Sequence, residues 1–330
     1  MSKDVNALII LPDFYEYPLY IKKSFERYWY NVDLMFEEPD RIEFLVRRKI
    51  GLFIGQDKAF YSFNKKLLKK IESKGKKYDF FLVIRGNIIS NETIAEIHSK
   101  YLSKNALSVY YSWDSFGNMI HKGSIGNYFM KRYTFDSVDA KNNPDYELLP
   151  LFYTSTFVFI KKKDEPKYDL CCVGCLTLDR YSLVKEIIKN NPNLNICVKL
   201  YTPKRQYIVD YLIEKGFRNL DFSMITFTSL SQEELADLYR QSKAVLDIPS
   251  FTQSGLSMRT IESIGMRKKI VTTNPHIMEY PFYSAENVII LRNGKSLKIN
   301  KSWVNSPANY DEEQRQQLSI DNWAMKLLSK

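Results

Sequence analysis

Short apolar runs alternate with longer amphipathic stretches along the chain, and this alternation limits the possible folds more than any other feature. In the first half the apolar runs are ALIILP, VDLMF, YDFFLVIRGN and ALSVYYSWDS, and helical patterns separate them. One of these patterns, KAFYSFNKKLLKKIES, has its apolar residues at helical spacing and its lysines on the other face. Strands that alternate with helices predict a parallel sheet covered by helices on both faces.

The alternation stops near residue 150 and then begins again. The interruption contains Pro150, three consecutive lysines at 161–163 and Pro166. Beyond it the runs DLCCVG, NICVKLY, KAVLDIP, KKIVTTN and NVIILR are predicted strands, again with helical patterns in the sequence between them. A chain of 330 residues also suits two domains of roughly 150 residues each.

We therefore predict an α/β protein with two Rossmann-like domains that face each other across a cleft. The first domain is expected to cover residues 1–153, followed by a linker over 154–167 and the second domain over 168–310. Residues 311–330 are predicted to form a helix that packs back toward the first domain through side chains such as Trp323. Ligands of open parallel sheets bind beyond the carboxyl ends of the strands, so functional residues are expected just after strands.

The charge of the chain favours an anionic partner. The formal net charge is +10 and the pI is about 9.1. Nucleic acid, an acidic membrane surface and phosphorylated small molecules all fit such a charge, and so does a solvated basic surface without a partner. Because no apolar run approaches the ~20 residues of a membrane span, we expect a soluble protein that at most attaches to a membrane by its surface.

The cysteines favour a reducing compartment. Three of them, Cys171, Cys172 and Cys175, stand in one apolar run that reads as a buried strand, and only Cys197 stands elsewhere. A zinc site would need a second cluster, so reduced thiols are the expected state. Reduced thiols predict a cytoplasmic location.

The stretch PSFTQSGLSMRTIESIGMRKKIVTTN, residues 249–274, places small polar residues where a predicted strand gives way to a helix. Small residues such as Ser254, Gly255 and Ser257 let an anion approach the unpaired amides of a helix amino terminus. Arg259 adds a guanidinium for a diphosphate, and the carboxylate of Glu262 can accept hydrogen bonds from ribose hydroxyls. The alternative is an ordinary helix start, with Ser257 as cap and Glu262 in solvent.

The first domain offers two candidate residues after its strands. Asp114 follows the run ALSVYYSW, where a carboxylate could act as the base that deprotonates an acceptor hydroxyl. An aspartate that caps a turn is the alternative for Asp114. Asp136, in YTFDSVD, is a further candidate ligand, and a cap on the next helix is its favoured role. Arg85, which follows YDFFLVI, is a candidate ligand for an anionic acceptor.

The segment SGLSMRTIESIGMRKKIVTTN resembles the carboxyl-domain signature of the GT-B glycosyltransferases. Gly255, Leu256 and Ser257 match a turn in that signature, Glu262 matches its helical glutamate, and the pair at 270–271 matches its following strand. Further segments are similar, in order, to bacterial cell-envelope glycosyltransferases that build lipopolysaccharide or capsule. They are YFMKRYTFDSVDAKNNPDYELLPLFY, YDLCCVGCLTLDRYSLVKEI, SKAVLDIPSFTQSGLSMRTIES and TTNPHIMEYPFYSAENVIIL.

The resemblance implies roles for further residues. It implies that Glu262 contacts the nucleotide ribose and that the loop at 174–180 faces the donor phosphates, which makes Arg180 a phosphate ligand. A surface ion pair between Arg180 and Asp179 is the alternative. Lys199 and Tyr201, at the end of the next strand, are candidates to flank the base or the phosphates. Enzymes of this family commonly work without a metal, because the helix amino terminus and basic residues offset the charge of the leaving group.

The resemblance thus implies a hexosyltransferase that moves a sugar from a nucleotide-sugar to an envelope glycan or glycolipid. No cofactor or metal is expected beyond the nucleotide-sugar, which is a co-substrate. An anionic membrane surface at the inner face of the plasma membrane is an expected partner, and nucleic acid is not. The alternatives are a nucleotide-sugar epimerase of the same fold, a catalytically silent scaffold, or a basic nucleic-acid-binding protein.

Overall fold

The computed structural model describes residues 5–28, 30–39, 41–160, 165–250, 252–292 and 297–329. The chain divides into two compact units. The first unit holds Met1–Leu151, Thr252–Gly255 and Ile320–Lys330, and the second holds Phe152–Phe251 and Leu256–Ser319. The three lysines at 161–163 of the predicted linker lie outside the described residues.

The first unit contains a six-stranded parallel sheet. Its strands are β1 (Val5–Leu11), β2 (Tyr30–Phe36), β3 (Tyr78–Ile84), β4 (Leu102–Ser112), β5 (Lys131–Thr134) and β6 (Glu147–Leu148). They lie in the order β2-β1-β3-β4-β5-β6. Residues 7–11 of β1 are at most 1% exposed, which is the burial that an apolar run predicts for a strand covered on both faces.

Helices and short 3-10 turns connect these strands. The helices are α1 (Tyr17–Glu26), α2 (Arg41–Ile54), α3 (Gln56–Glu72), α4 (Asn91–Tyr101) and α5 (Ser137–Asn142). The 3-10 turns are Phe116–Asn118 and Ser124–Tyr128. One face of α3, α4 and the turns packs on the sheet in a single core that includes Leu67, Ile71, Ile94, Ile97 and Ile125. Helix α2 has no counterpart among the predicted elements.

The second unit repeats this architecture. Its strands are β7 (Tyr168–Cys175), β8 (Ile196–Tyr201), β9 (Ile225–Thr226), β10 (Ser242–Asp247), β11 (Lys269–Thr272) and β12 (Val288–Ile290), all parallel in the order β12-β11-β10-β7-β8-β9. Its helices are α6 (Leu178–Asn190), α7 (Lys204–Ile213), α8 (Gln232–Arg240), α9 (Met258–Gly265), α10 (Lys301–Asn305) and α11 (Glu312–Gln317). Its 3-10 turns are Ser155–Phe157, Lys215–Asn219, Phe222–Met224 and Pro275–Glu279.

The predicted carboxyl-terminal helix is two helices. Helix α11 belongs to the second unit, where the Arg315 guanidinium donates to the Gly265 carbonyl at 2.9 Å. The last helix, α12 (Ile320–Leu328), belongs to the first unit. There the fully buried indole of Trp323 meets the rings of Phe25 in α1 and Tyr111 in β4 edge-on, at 6.4 and 5.1 Å between centroids.

The predicted linker is packed rather than open where the structure describes it. Residues 152–160 belong to the second unit, and both Thr154 and Phe157 are completely buried. The Thr154 hydroxyl donates to Oε1 of Gln232 in α8 at 2.9 Å. The boundary between the two units lies at 151–152, two residues before the predicted 153–154.

Candidate functional site

The sheet of the second unit has a topological switch point between β10 and β7. From β7 the chain adds β8 and β9 on one side, and β10, β11 and β12 lie on the other. Ligands of such sheets bind at the carboxyl ends of the strands where the order reverses. Here β7 ends at Cys175, β10 ends at Asp247, and helices α6 and α9 begin shortly after them.

Asp247 organises the amino terminus of α9. Its buried carboxylate accepts hydrogen bonds from the hydroxyls of Ser257 and Thr260, both at 2.7 Å, and from Nε of Arg259 at 2.8 Å. Ser257 also caps the helix by accepting from the Thr260 amide. The sequence reasoning missed Asp247, although a single acidic residue at the end of the apolar run KAVLDIP was the available signal.

Arg180 joins the ends of the two central strands. Its Nε donates to the carbonyl of Ile248, just after β10, at 2.9 Å. Another guanidinium nitrogen donates to the carbonyl of Cys175 at the end of β7. The Arg180 side chain lies against Gly174, and a Cβ added to this glycine would be about 3.4 Å from the guanidinium. Arg180 therefore stands at the switch point and donates to these carbonyls instead of forming the surface pair considered with Asp179. Its role as a phosphate ligand stays a prediction.

Two guanidinium groups influence each other at this edge. Burial and then the positive charge of Arg259 lower the pKa of Arg180. Burial acts to lower the pKa of Arg259 as well, but the carboxylate of Asp247 raises it above its usual value. Asp247 pairs with Arg259, whereas Arg180 is held by backbone carbonyls, so the positive charge of Arg180 is the one that suits an anion at the switch point.

Glu262 and Leu256 are both buried. Glu262, on the second turn of α9, is 1% exposed, so the alternative of a solvated glutamate is wrong. Burial and then the charge of Glu262 raise the pKa of Tyr239 in α8, which places that ring in the surroundings of the carboxylate. Leu256 is 2% exposed and supplies packing beside the helix start. The nucleotide-binding role of both residues stays a prediction.

Lys199 and Tyr201 lie on β8, next to β7. Lys199 is opposite Val173, and Tyr201 is opposite Cys175 at the strand end. Both side chains are half-buried. The Tyr201 carbonyl accepts from the Leu176 amide at 2.7 Å, which extends the sheet to the loop that carries Arg180. Tyr201 is therefore nearer the carboxyl edge than Lys199.

The amides of Ser254 and Gly255 have a different acceptor from the one expected. Within the first unit they donate to Oδ2 of Asp136, at 3.3 and 2.8 Å. Phe135 lies where a Gly255 side chain would be, 2.4 Å from an added Cβ. The prediction that these two amides bind a diphosphate is therefore wrong, because the carboxylate of Asp136 already accepts their hydrogen bonds.

Asp136 binds this loop and a helix at once. It caps α5 by accepting from the amides of Val138 and Asp139, as expected, and it also accepts from the Ser115 hydroxyl at 2.5 Å. Burial acts to raise its pKa, but the hydrogen bonds from Ser115, Ser254 and Gly255 hold the pKa below its usual value. An ionised Asp136 therefore fastens Thr252–Gly255 to the first unit.

The carboxyl edge of the first sheet carries a second charged cluster. Arg85 follows β3 and pairs with three carboxylates: Glu37 after β2, Glu38 at 2.7 Å and Asp114 after β4 at 3.7 Å. Arg85 adopts φ +70° and Gly86 adopts φ +67°, a left-handed turn that few residues favour. Three acidic groups around one cation leave this edge negative, so Arg85 is not arranged to attract an anionic acceptor.

The acidic members of this cluster have shifted pKa values. Glu37 is completely buried, and burial raises its pKa to about 7 although Arg85 opposes the shift. Loss of solvation also raises the pKa of Asp114, with Arg85 again acting in the other direction. Glu37, Glu38 and their link to Asp114 were missed by sequence reasoning. In the described part of the chain, no group of three or more His, Cys, Asp and Glu side chains could hold a metal ion.

Solved structures of several glycosyltransferases have the same architecture as this chain. A glycosyltransferase from Rickettsia africae matches 99% of this chain over 97% of its own, with TM-score 0.58 and 10% identity. AviGT4, a glycosyltransferase involved in avilamycin A biosynthesis, matches 98% over 96% of its own chain, with TM-score 0.57 and 10% identity. The chain has the fold of the GT-B glycosyltransferases.

A third similar structure was solved with ligands bound. The catalytic domain of starch synthase IV from Arabidopsis thaliana, bound to ADP and acarbose, matches 99% of this chain over 96% of its own, with TM-score 0.55 and 8% identity. No protein-family model matches the chain, and no curated protein matches it in sequence. The predicted fold class, two Rossmann-like α/β domains, is confirmed.

Proposed function

We propose that this protein is a glycosyltransferase that moves a sugar from a nucleotide-sugar to a glycan or glycolipid acceptor. The observation that carries the proposal is the switch point of the second sheet, where Arg180 bridges the ends of β7 and β10 and Asp247 holds Arg259 in the first turn of α9. The buried carboxylate of Glu262 follows on the same helix. Starch synthase IV, with ADP bound, shares the fold and supports a nucleotide as the ligand.

The donor half of the reaction requires positive charge beside the leaving diphosphate. As the sugar leaves, negative charge grows on the nucleotide, and preorganised cations stabilise the transition state more than the ground state. Arg180 and Arg259 are held by carbonyls and by Asp247, so their orientation costs little during the reaction. We assign the ribose hydroxyls to Glu262 and the base or phosphates to Tyr201 and Lys199.

The acceptor half requires a base, and we assign it to Asp114. Its carboxylate lies at the edge of the first sheet, 45% exposed, with Arg85 at 3.7 Å. A raised pKa brings a carboxylate closer to the working pH of a general base. Arg85 then positions Asp114 instead of binding the acceptor. The envelope acceptor and work without a metal rest on the resemblance in sequence, and the cytoplasmic location rests on the reduced cysteines.

The proposal is tested by nucleotide release. The purified protein is incubated with UDP-, GDP- and CMP-sugars in turn, with and without envelope glycolipid, and free nucleotide is measured. We expect release with one donor class, and a rate roughly 100-fold lower for Asp114→Asn. Asp145→Asn is the matched control, since this carboxylate of the same unit is exposed and pairs only at the surface with Arg132.

Two results would contradict this proposal. Conversion of the donor sugar without nucleotide release would indicate the epimerase. If no donor releases nucleotide and no nucleotide binds, the protein has the fold but lacks the proposed activity, as in the catalytically silent scaffold.

A further inference from the structure

Helix α2 exposes an apolar face to solvent. Val46, Ile50, Phe53 and Ile54 recur at the spacing of one helical face, and Leu52 lies beside them. These five side chains are between 45% and 89% exposed, with Phe53 the most exposed. Scattered exposed apolar residues are ordinary in proteins, but a continuous helical stripe marks an interaction surface.

The opposite side of α2 is fixed to the first unit. The rings of Phe44 and Phe60 pack at 5.8 Å between centroids, and the Arg47 guanidinium donates to the Ala59 carbonyl of α3 at 2.8 Å. Gly51 is buried on this side. The hairpin of α2 and α3, joined at Gly55, therefore holds the apolar face outward.

The same hairpin concentrates positive charge. Residues 41–72 contain nine Lys and Arg and three Asp and Glu, a net charge of +6 out of +10 for the chain. Exposed lysines of α3 are Lys58, Lys65, Lys66, Lys69 and Lys70. Among the residues that the structure describes, no carboxylate forms an ion pair with them.

Helix α7 of the second unit provides a contrast. It also exposes apolar residues, among them Ile208, Leu212 and Ile213. Its charges are mixed, because Asp210 and Glu214 offset its basic residues. Exposed apolar surface alone is thus found on both units, whereas apolar surface with an excess of lysine is found on the α2–α3 hairpin.

We propose that the α2–α3 hairpin docks the first unit on an anionic lipid bilayer. The apolar stripe of α2 would enter the boundary between headgroups and acyl chains, and the lysines of α3 would pair with lipid phosphates. The charge argues against a second copy of the chain, since two surfaces of +6 repel each other. The positive charge argues less against nucleic acid, but a phosphate backbone would not contact apolar side chains such as Leu52 and Phe53.

This inference goes beyond the proposed function and does not depend on it. No helix in the described ranges is long and apolar enough to cross a bilayer. Docking by one amphipathic hairpin is an attachment in the plane of the surface, which needs neither a spanning helix nor sugar transfer.

Flotation with lipid vesicles tests the proposal. The whole protein is mixed with vesicles of phosphatidylcholine alone or with about a third phosphatidylglycerol, at low and high salt. We expect binding to the anionic vesicles that weakens with salt. The variant Leu52→Ser/Phe53→Ser should bind at least tenfold more weakly, from the loss of buried apolar area. Lys65→Gln/Lys69→Gln should lose roughly fivefold for each charge.

The matched control is Ile208→Ser/Leu212→Ser on α7, which should bind vesicles like the unaltered protein. Circular dichroism checks that each variant is folded, which is the expected result for substitutions at exposed positions. Equal binding to neutral vesicles, or unchanged binding by Leu52→Ser/Phe53→Ser, would overturn the proposal. If sedimentation shows a dimer that the α2 variant dissociates, the apolar face binds a second copy of the chain instead. If the protein binds RNA in a salt-sensitive way and does not bind vesicles, the partner is nucleic acid.

Discussion

Each sheet has an ion pair with a buried carboxylate at its carboxyl edge. Asp247 binds Arg259 in the second unit, and Glu37 binds Arg85 in the first. Buried charges are tolerated only when they are paired and hydrogen-bonded, and removal of one partner leaves the other at high cost. Each pair therefore makes a prediction about stability that is separate from catalysis.

Glu37→Gln should change the pH dependence of stability. The folded-state pKa of Glu37 is about 7, above the ordinary value of 4.5, so the folded protein binds more protons than the unfolded chain between these values. The free energy of unfolding attributable to Glu37 is therefore present at low pH and lost as the pH rises through about 7. Replacing Glu37 should therefore reduce the change in the free energy of unfolding across this pH range by on the order of 1–3 kcal/mol.

Urea denaturation at several pH values between about 4.5 and 8 measures this difference between variant and unaltered protein. Glu72→Gln, on the exposed end of α3, is the control. A Glu37→Gln curve parallel to that of the unaltered protein would show that Glu37 does not titrate in this window.

Asp247→Ala should destabilise the second unit by roughly 3–5 kcal/mol, because three donors lose their acceptor and Arg259 stays buried without its carboxylate. The double variant Asp247→Ala/Arg259→Ala should recover part of this loss. A double-mutant cycle from urea denaturation gives the coupling energy. Strictly additive losses would mean that the two side chains do not stabilise each other.

Helices were predictable where an apolar stripe faces a core. The pattern KAFYSFNKKLLKKIES gave α3, and the stretch after Ser257 gave α9. Helix α2 was missed, because much of its apolar stripe faces solvent instead of a core. The break between α11 and α12 was missed as well, since it depends on the two helices belonging to different units.

The end of α9 has no room for a side chain. A Cβ at Gly265 would lie 2.6 Å from the Phe157 carbonyl oxygen and 2.6 Å from the Tyr153 ring. Gly265→Ala should therefore cost about 1–3 kcal/mol of unfolding free energy, measured by urea denaturation. Gly117→Ala is the control, because nothing lies within 4 Å of its added Cβ. Equal stability of the two variants would show that the helix end adjusts without strain.

At the scale of the whole molecule, the alternation of apolar runs predicted two parallel α/β sheets, and both are present. The route of the chain between the units was not predictable. Thr252–Gly255 joins the first unit through Asp136, more than a hundred residues earlier in the chain. A local motif such as SGLSMR shows which groups could donate, and only the folded chain shows which acceptor they meet.

The central claim is that the carboxyl edge of the second sheet binds a nucleotide. Calorimetric titration of the whole protein with UDP, GDP, CMP and an RNA oligomer tests it most directly. We predict binding of one nucleotide, none of RNA, and affinity at least about tenfold weaker for both Glu262→Gln and Arg180→Ala, from the loss of charge-assisted hydrogen bonds. Binding of RNA alone, or nucleotide affinity that neither substitution alters, would contradict the claim.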